Sequence, residues 1–539
     1  MTTSTKTSTT DVAAKGAGLV LLVLCAAQFI MILDSAVMNV SIATVAADLG
    51  TTVTGIQTAI TLYMLVMASL MITGGKIGGI IGRRRAFALG LIVYSIGSFT
   101  TAISPNLTVL IIGWSFLEGM GAALILPAIV ALVAGNFPTE RRTAAYGLVA
   151  SAGAIAVAAG PLIGGAVTTL FSWRWVFIGE VVVCMIILAV LRRVHDTPTS
   201  KQPPIDVVGA LMSIIGLSLV VLGVLKSAEW GWVQPKPEAP ALFGVSLTTW
   251  FILGGFFVLW LFTQWEARME RLGKEPLLRM ELLHVPQLSG GLMMFFFQFL
   301  VQASTFFIVP LYLTVVLGLT AFATGVRLVP LSLSLLAVAI AVPKFRPQAN
   351  PRRVVRIGLL ALAAGAMVMV AGIDPGADAS VVTIPMILLG CGMGALASQL
   401  GAVTVSAVPD ERSAEVGGVQ NTATNLGASL GTALIGSILI ASLTTAFISN
   451  IQNNPAVPPE VTAQASTQLA SGVPFVSEAD LTVALQSAGV PDEQATAIVQ
   501  EYSDASLAAL RASMAVVAFF ALIALFLSER IPTKAVGAS

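Results

Sequence analysis

The sequence predicts an all-α integral membrane protein. It has fourteen transmembrane helices, in two six-helix bundles related by a pseudo-twofold repeat, plus an inserted helix pair. Three observations predict this. The chain of 539 residues is 56% hydrophobic and only 10% charged, too little polar surface to cover a water-soluble globule of that size. Its apolar stretches are each long enough to cross about 30 Å of hydrocarbon at 1.5 Å per residue. Nearly every Lys and Arg falls on one side of the layout those stretches define.

In order, the expected spans are 17–43, 54–75, 86–104, 107–136, 144–169, 174–192, 207–226, 248–266, 287–316, 323–343, 354–373, 381–407, 416–446 and 506–528. The first is too long for a signal h-region and carries an Asp, so it is expected to be retained as a span. With the N-terminus inside, the inward loops hold Arg83, Arg84 and Arg85, then Arg141 and Arg142, then Arg192, Arg193 and Lys201. Further inward charges are Arg268, Arg271, Lys274, Arg279, Lys344, Arg346, Arg352, Arg353, Arg412, Arg530 and Lys534. Outward loops hold little besides Arg174, Lys226 and Lys236. The positive-inside rule therefore places both termini in the cytoplasm.

Cys25, Cys184 and Cys391 fall within apolar spans, so no disulfide framework is implied. His195 and His284 lie in inward loops without a partner at metal-ligand spacing, so no metal site is expected. The near-neutral charge gives no nucleic-acid signal. No polar catalytic cluster or cofactor motif is found, which argues against an enzyme.

The chain repeats itself in constant register. Adding 271 carries Gly119 and Gly121 onto Gly390 and Gly392, Pro138 onto Pro409, and Glu140-Arg141 onto Glu411-Arg412. The same shift carries Gly147 onto Gly418, and Gly160 with Gly165 onto Gly431 with Gly436. The expected organisation is a tail 1–16, a six-helix bundle 17–194, an inserted pair with linkers 195–286, a second bundle 287–528, and a tail 529–539. Two repeated halves flanking a central site form an alternating-access carrier. The outward loop 447–505 is acidic, with helix starts at Ser477 and at Pro491-Asp492-Glu493. It is either a solvated connector or a surface that attracts cations.

Asp34, Glu118 and Glu180 lie within predicted spans, where a carboxylate must face a cavity, find a partner or be protonated. Asp34 is placed in the outer half of span one, Glu118 near mid-depth and Glu180 close to the outer interface. Asp34 could instead bond Asn39, and Glu180 could pair with Arg174. Arg327, at the start of span ten, either snorkels or meets an acid across the cavity. Gln28, Asn39, Gln298, Gln302, Gln399, Asn421 and Asn425 are candidate cavity hydrogen-bonders, as is Gln57.

Between spans two and three, the stretch Gly75 to Arg85 holds Gly75, Gly78, Gly82, Arg83 and Arg84, glycines for a tight turn and arginines for the inner headgroups. It resembles the G-x-x-x-D-R-x-G-R-R signature of the major facilitator superfamily, with Gly79 at the acidic position and Ile80 at the next basic one. Gly160-Pro161 with Gly164-Gly165 in span five resembles the motif of exporters in that superfamily that exchange substrate for protons. With Leu33 to Val40, Trp173 to Phe177 and Gly418 to Gly436, the chain looks like the fourteen-helix drug–proton antiporter branch.

That resemblance implies a gating role for the glycines and arginines of the first motif and for Gly160, Pro161, Gly164 and Gly165. It implies a proton or cation site at Asp34. In the family's fourth-span motif, R-x-x-Q-G, the Arg position is Ser115 and the Gln position Glu118. Burial without a cation favours the neutral acid, which suits Glu118 to a second proton carrier.

The implied activity is proton-coupled export of amphipathic or cationic organic compounds from a bacterial inner membrane. Small-molecule cargo, protons and membrane lipid are the expected partners, and a monomer is the expected working unit. An exporter of one endogenous metabolite or lipid, and a non-transporting sensor or scaffold, are the alternatives.

Overall fold

The structure is a computed structural model describing residues 7–137, 139–192, 206–237, 239–346, 348–374, 376–408, 413–459 and 472–534, with positions 461, 462, 465 and 469. Side chains of residues 7–17, 134, 139–144, 150, 154 and 413–415 are not described. Arg193, His195, Lys201, Pro138, Pro409, Glu411, Arg412 and Glu460 lie outside the described residues, as do the side chains of Glu140, Arg141 and Arg142.

Among the described residues, fourteen helices are long and apolar enough to cross a membrane. They are α1 (Gly18–Val40), α2 (Val53–Ile81), α3 (Arg83–Ala102), α4 (Leu107–Val133), α5 (Ala145–Leu170), α6 (Arg174–Leu191) and α7 (Val207–Trp230). After these come α8 (Leu247–Arg271), α9 (Pro286–Val316), α10 (Ala321–Phe345), α11 (Pro351–Gly372), α12 (Ala379–Val405), α13 (Val416–Asn453) and α14 (Asp492–Arg530). Several starts are fixed by side chains that satisfy orphan amides. Thr52 accepts from Gly55, Asn106 from Val109, Thr320 from Ala323 and Asn350 from Arg353, at 3.0–3.2 Å. Two faces result, an arginine side bearing Arg83 to Arg85 and an opposite far side.

The repeat is visible in how helices meet. A Cβ on Gly121 would sit 2.8 Å from the Gly90 carbonyl, and one on Gly90 would sit 2.9 Å from the Gly121 carbonyl. Gly392, the 271 partner of Gly121, stands in the same reciprocal contact with Gly358. Only glycine permits such an approach.

The two bundles join along two seams, α5 against α10 and α2 against α13. Ser332 donates to the Val157 carbonyl at 3.1 Å, and Ser429 donates to the Thr61 carbonyl at 2.9 Å. Adding 271 to Thr61 gives Ser332, and Ser429 lies one residue beyond the match to Val157. Nearer the far side, the Phe322 amide donates to Thr169 Oγ1, and Gln57 Nε2 bridges the carbonyls of Thr432 and Ala433. These ties lie from mid-depth to the far side. Toward the arginine side, nothing stands within 4 Å of a Cβ built at Gly147, Gly401, Gly417 or Gly418.

The inserted pair leans on one seam only. Leu217 and Val221 of α7 pack with Leu65 of α2 and Leu426 and Leu430 of α13, and Ser437 donates to the carbonyls of Val224 and Leu225. Its partner α8 is outermost, with Leu253, Phe256, Phe257 and Trp260 exposed.

Three expectations are corrected. The predicted loop at Gly75 is helical through Ile81, and the turn is confined to Gly82, whose φ is +102°. Arg83 then donates to the Ala131 carbonyl at 2.9 Å. The outward segment is not a bare connector, because Phe447, Ile451, Val473, Phe475 and Tyr502 are buried there. Ser477 does cap a short helix, Glu478–Ser487, but Asp492 begins α14 itself rather than a separate helix.

Candidate functional site

The three span acids converge inside the first bundle. Asp34 comes from α1, Glu118 from α4 and Glu180 from α6, with 0%, 0% and 2% of their surfaces exposed. Carboxylate oxygens of all three lie within 4.8 Å of one another. At that burial the surroundings of the protein do not reach them. The side chains that donate hydrogen bonds to them, Tyr94, Ser98, Thr101 and Trp114, belong to the first bundle.

Local sequence explains the convergence. On α3, Tyr94, Ser98 and Thr101 follow one another at helical spacing and so share a face. Tyr94 donates to Glu180 Oε2 at 3.1 Å, Ser98 to the same atom at 3.0 Å, and Thr101 to Glu118 Oε1 at 3.1 Å. Gly97 lies between them, and a Cβ there would come 2.6 Å from the Glu118 amide, so glycine lets α4 approach. A π-helical stretch, Ile111–Glu118, sets the register of α4 and ends on the acid. One turn before it, Trp114 donates its indole N–H to both Asp34 oxygens, at 2.8 and 2.9 Å. Tyr63 of α2 stacks on that indole with centroids 4.8 Å apart.

All these donors are neutral. Asp34 bonds Trp114 rather than Asn39, which donates to the Ser35 carbonyl of its own helix. Glu180 does not meet Arg174 or the outer interface. Arg174 engages Asp48 and donates to the Ser104 carbonyl at 2.8 Å. Asp48 lies outside the spans. Partial burial opposes its ionisation, yet hydrogen bonds from Arg174 and Trp173 and the Arg174 charge hold its carboxyl below the ordinary range. Three buried carboxylates without a cation between them would repel at short range, so the cluster must carry protons or a cation. Chemically it can take up and release positive charge.

The other singled-out residues are spread through the molecule. Gly160 and Gly164 admit Ala36 and Val37 of α1, at 2.5 and 2.6 Å from a built Cβ, while Gly165 admits the Ala321 carbonyl at 2.5 Å. The Pro161 carbonyl faces Gly325. The span-five motif is thus the place where α5 is gripped by α1 on one face and α10 on the other. Gly75 makes an ordinary contact with Pro127. Asn425 donates to the Asn421 carbonyl and Gln399 to Ser398, while Gln298 is buried with an unpartnered Oε1. Gln28, Gln302, Asn421 and Arg327 are half-buried. Among the described residues Arg327 forms no ion pair. The acid near it is Asp378 at the same end of the second bundle, held below the ordinary carboxylate range by hydrogen bonds from Ser380, with Arg327 adding to the effect.

Sequence reasoning missed the shell of Tyr63, Tyr94, Ser98, Thr101 and Trp114. The signal was present as Tyr94, Ser98 and Thr101 on one face of an apolar span. It also missed Arg511, which donates to the Ile373 carbonyl at 2.7 Å, and Glu266, fully buried and accepting from the Leu278 amide.

A chain of this architecture, two repeated bundles meeting along paired seams with acids sunk in one of them, is a membrane transporter of small molecules. It belongs to the Major Facilitator Superfamily, whose family description matches residues 24–432. The puromycin resistance protein pur8 of Streptomyces alboniger is 28% identical over 81% of this chain and 84% of its own length. The cephamycin export protein CmcT of Amycolatopsis lactamdurans is 27% identical over 80% of this chain and 85% of its own. Among solved structures, a bacterial homolog of the human lysosomal transporter Spinster superposes with a TM-score of 0.59. That match covers 96% of this chain and 98% of the other at 14% identity, a likeness of fold.

Proposed function

We propose that this protein is a proton-coupled antiporter exporting amphipathic or cationic organic compounds by alternating access, with Asp34, Glu118 and Glu180 as its proton-holding groups. The observation that supports it is the convergence of three buried carboxyls, held by neutral donors, within one of two bundles that can rock about shared seams. The arginine side is the cytoplasmic side of a bacterial inner membrane, with both termini there. The bundles, tied from mid-depth to the far side, then represent the conformer closed to the exterior. Protons entering the cluster neutralise it, and their release to the cytoplasm regenerates charge that favours a new cationic cargo. Each proton moving down 100 mV supplies about 2.3 kcal/mol. One chain contains the complete pair of bundles, so a monomer suffices, surrounded by lipid.

Relatives named for resistance to puromycin and export of cephamycin favour antibiotic-like cargo. The second of these also favours a narrower reading, a dedicated exporter of one compound, which a substrate panel in a pump-deficient host separates from a broad one. The central test uses inverted membrane vesicles with an acidified lumen, which take up a cationic dye added outside. The double variant Asp34→Asn with Glu118→Gln should reduce transport driven by a proton gradient to the level seen with an ionophore. Undiminished transport would sink the proposal.

A further inference from the structure

We propose that Asp34, Glu118, Glu180 and Tyr63 also form a binding site for one hard metal cation, of the Na⁺ or Ca²⁺ kind, which competes with protons for the cluster. The inference deepens the proton site above and rests on the same acids. Its footing is the set of oxygens that the protein leaves free.

Glu118 Oε2 and Glu180 Oε1 are buried and have no hydrogen-bond partner. The Tyr63 hydroxyl, on a side chain with 0% exposure, is also unpartnered. It lies next to Asp34, its ring pinned by the stack on Trp114. Both Asp34 oxygens share the one indole N–H of Trp114. Oxygens on α1, α2, α4 and α6 thus keep unused lone pairs within one buried cluster, and an orphaned buried polar atom costs about 1–3 kcal/mol.

The donor set selects the ion. Carboxylate and phenol oxygens are hard ligands, and neither a thiol nor an imidazole contributes, which disfavours zinc and copper. Carboxylate oxygens within 4.8 Å of one another can share an ion whose bonds to oxygen are about 2.3–2.6 Å. Charge points the same way, because three carboxylates in a lipid-depth interior need compensation and the neighbouring donors are neutral. The titratable groups in and around the cluster are Asp34 on α1, Tyr63 on α2, Tyr94 on α3, Glu118 on α4 and Glu180 on α6, with Cys184 one turn beyond Glu180. A proton and a metal ion therefore occupy the same oxygens in turn.

Equilibrium binding of ²²Na⁺ and of ⁴⁵Ca²⁺ to the full-length protein in nanodiscs, with no cargo present, tests this directly. One of the two ions should bind at about one per chain at pH 8, with affinity falling toward tenfold for each pH unit lost while a proton is displaced. Glu180→Gln and Tyr63→Phe should each weaken binding at least tenfold while Asp48→Asn, at the far side, leaves it unchanged. Tryptophan emission recorded without ion, to which Trp114 beside Asp34 contributes, should match the parent and so show that the variants remain folded around the site. Failure of both ions to bind at any pH would overturn the proposal, as would binding that Glu180→Gln and Tyr63→Phe leave intact. Proton-driven transport could survive either result, and ion binding could survive a failed transport assay, so the two proposals stand or fall apart.

Discussion

Gly325 is the point where the closed far side is most easily disturbed. A Cβ built there lies 2.2 Å from the Pro161 carbonyl oxygen and 2.8 Å from its carbon. The obstacle is backbone, which has no rotamer to escape into. Gly325→Ala forces α5 and α10 apart by roughly 1 Å, and overpacking of this kind costs about 1–3 kcal/mol. The strain exists only while the seam is shut. At about 1.4 kcal/mol per factor of ten, the equilibrium should move five- to a hundredfold toward the conformer open on the far side. Spin labels at Ile103→Cys and Ile384→Cys, exposed positions on the two bundles, report that change as a longer distance population in pulsed electron resonance. A threefold or smaller shift, with the variant folded, would show that this seam does not close the far side.

Other perturbations follow from the same geometry. Gln57→Ala removes two hydrogen bonds across the second seam, each worth about 1 kcal/mol, and should open the far side in the same distance measurement. Gly82→Ala places a side chain at φ +102°, a cost on the order of 1–3 kcal/mol, read as a lower melting temperature in detergent. For Asp48, partial burial opposes ionisation, but Arg174 and Trp173 hold the folded carboxyl below its unfolded value near about 3.9. Its stabilisation is therefore present at neutral pH and lost as pH falls through the folded value. Asp48→Asn should melt earlier than the parent at pH 7, and the difference should close below about pH 4. A constant difference across that range would contradict the assignment.

The number and order of helices were legible because hydrocarbon imposes a length and a composition that few other environments require. The repeat was legible because a shift of 271 residues aligned a charged loop as well as glycines, and Gly121 and Gly392 now make the same reciprocal contact. Local glycine content misled. In water Gly75 to Gly82 reads as a turn, yet in a packed bundle small residues continue a helix and admit neighbours such as Pro127. The acids themselves were visible, but their companionship was not. It depends on how α1, α4 and α6 pack and on the π-helical register before Glu118, neither of which has a periodic signature. Tyr63 and Trp114 read as ordinary aromatic residues of an apolar span until their polar atoms are seen to face Asp34. The packing of α7 against α2 and α13 was equally hidden, since nothing in an apolar run names its neighbour.

That packing makes the molecule lopsided with respect to its surroundings. Acyl chains can lie directly against the outer edge of the seam between α5 and α10, whereas Leu217, Val221 and the outward-facing aromatics of α8 cover its twin. Internal twofold resemblance therefore stops at the rim, and a solute dissolved in the bilayer meets a bare seam on one flank and the inserted pair on the other.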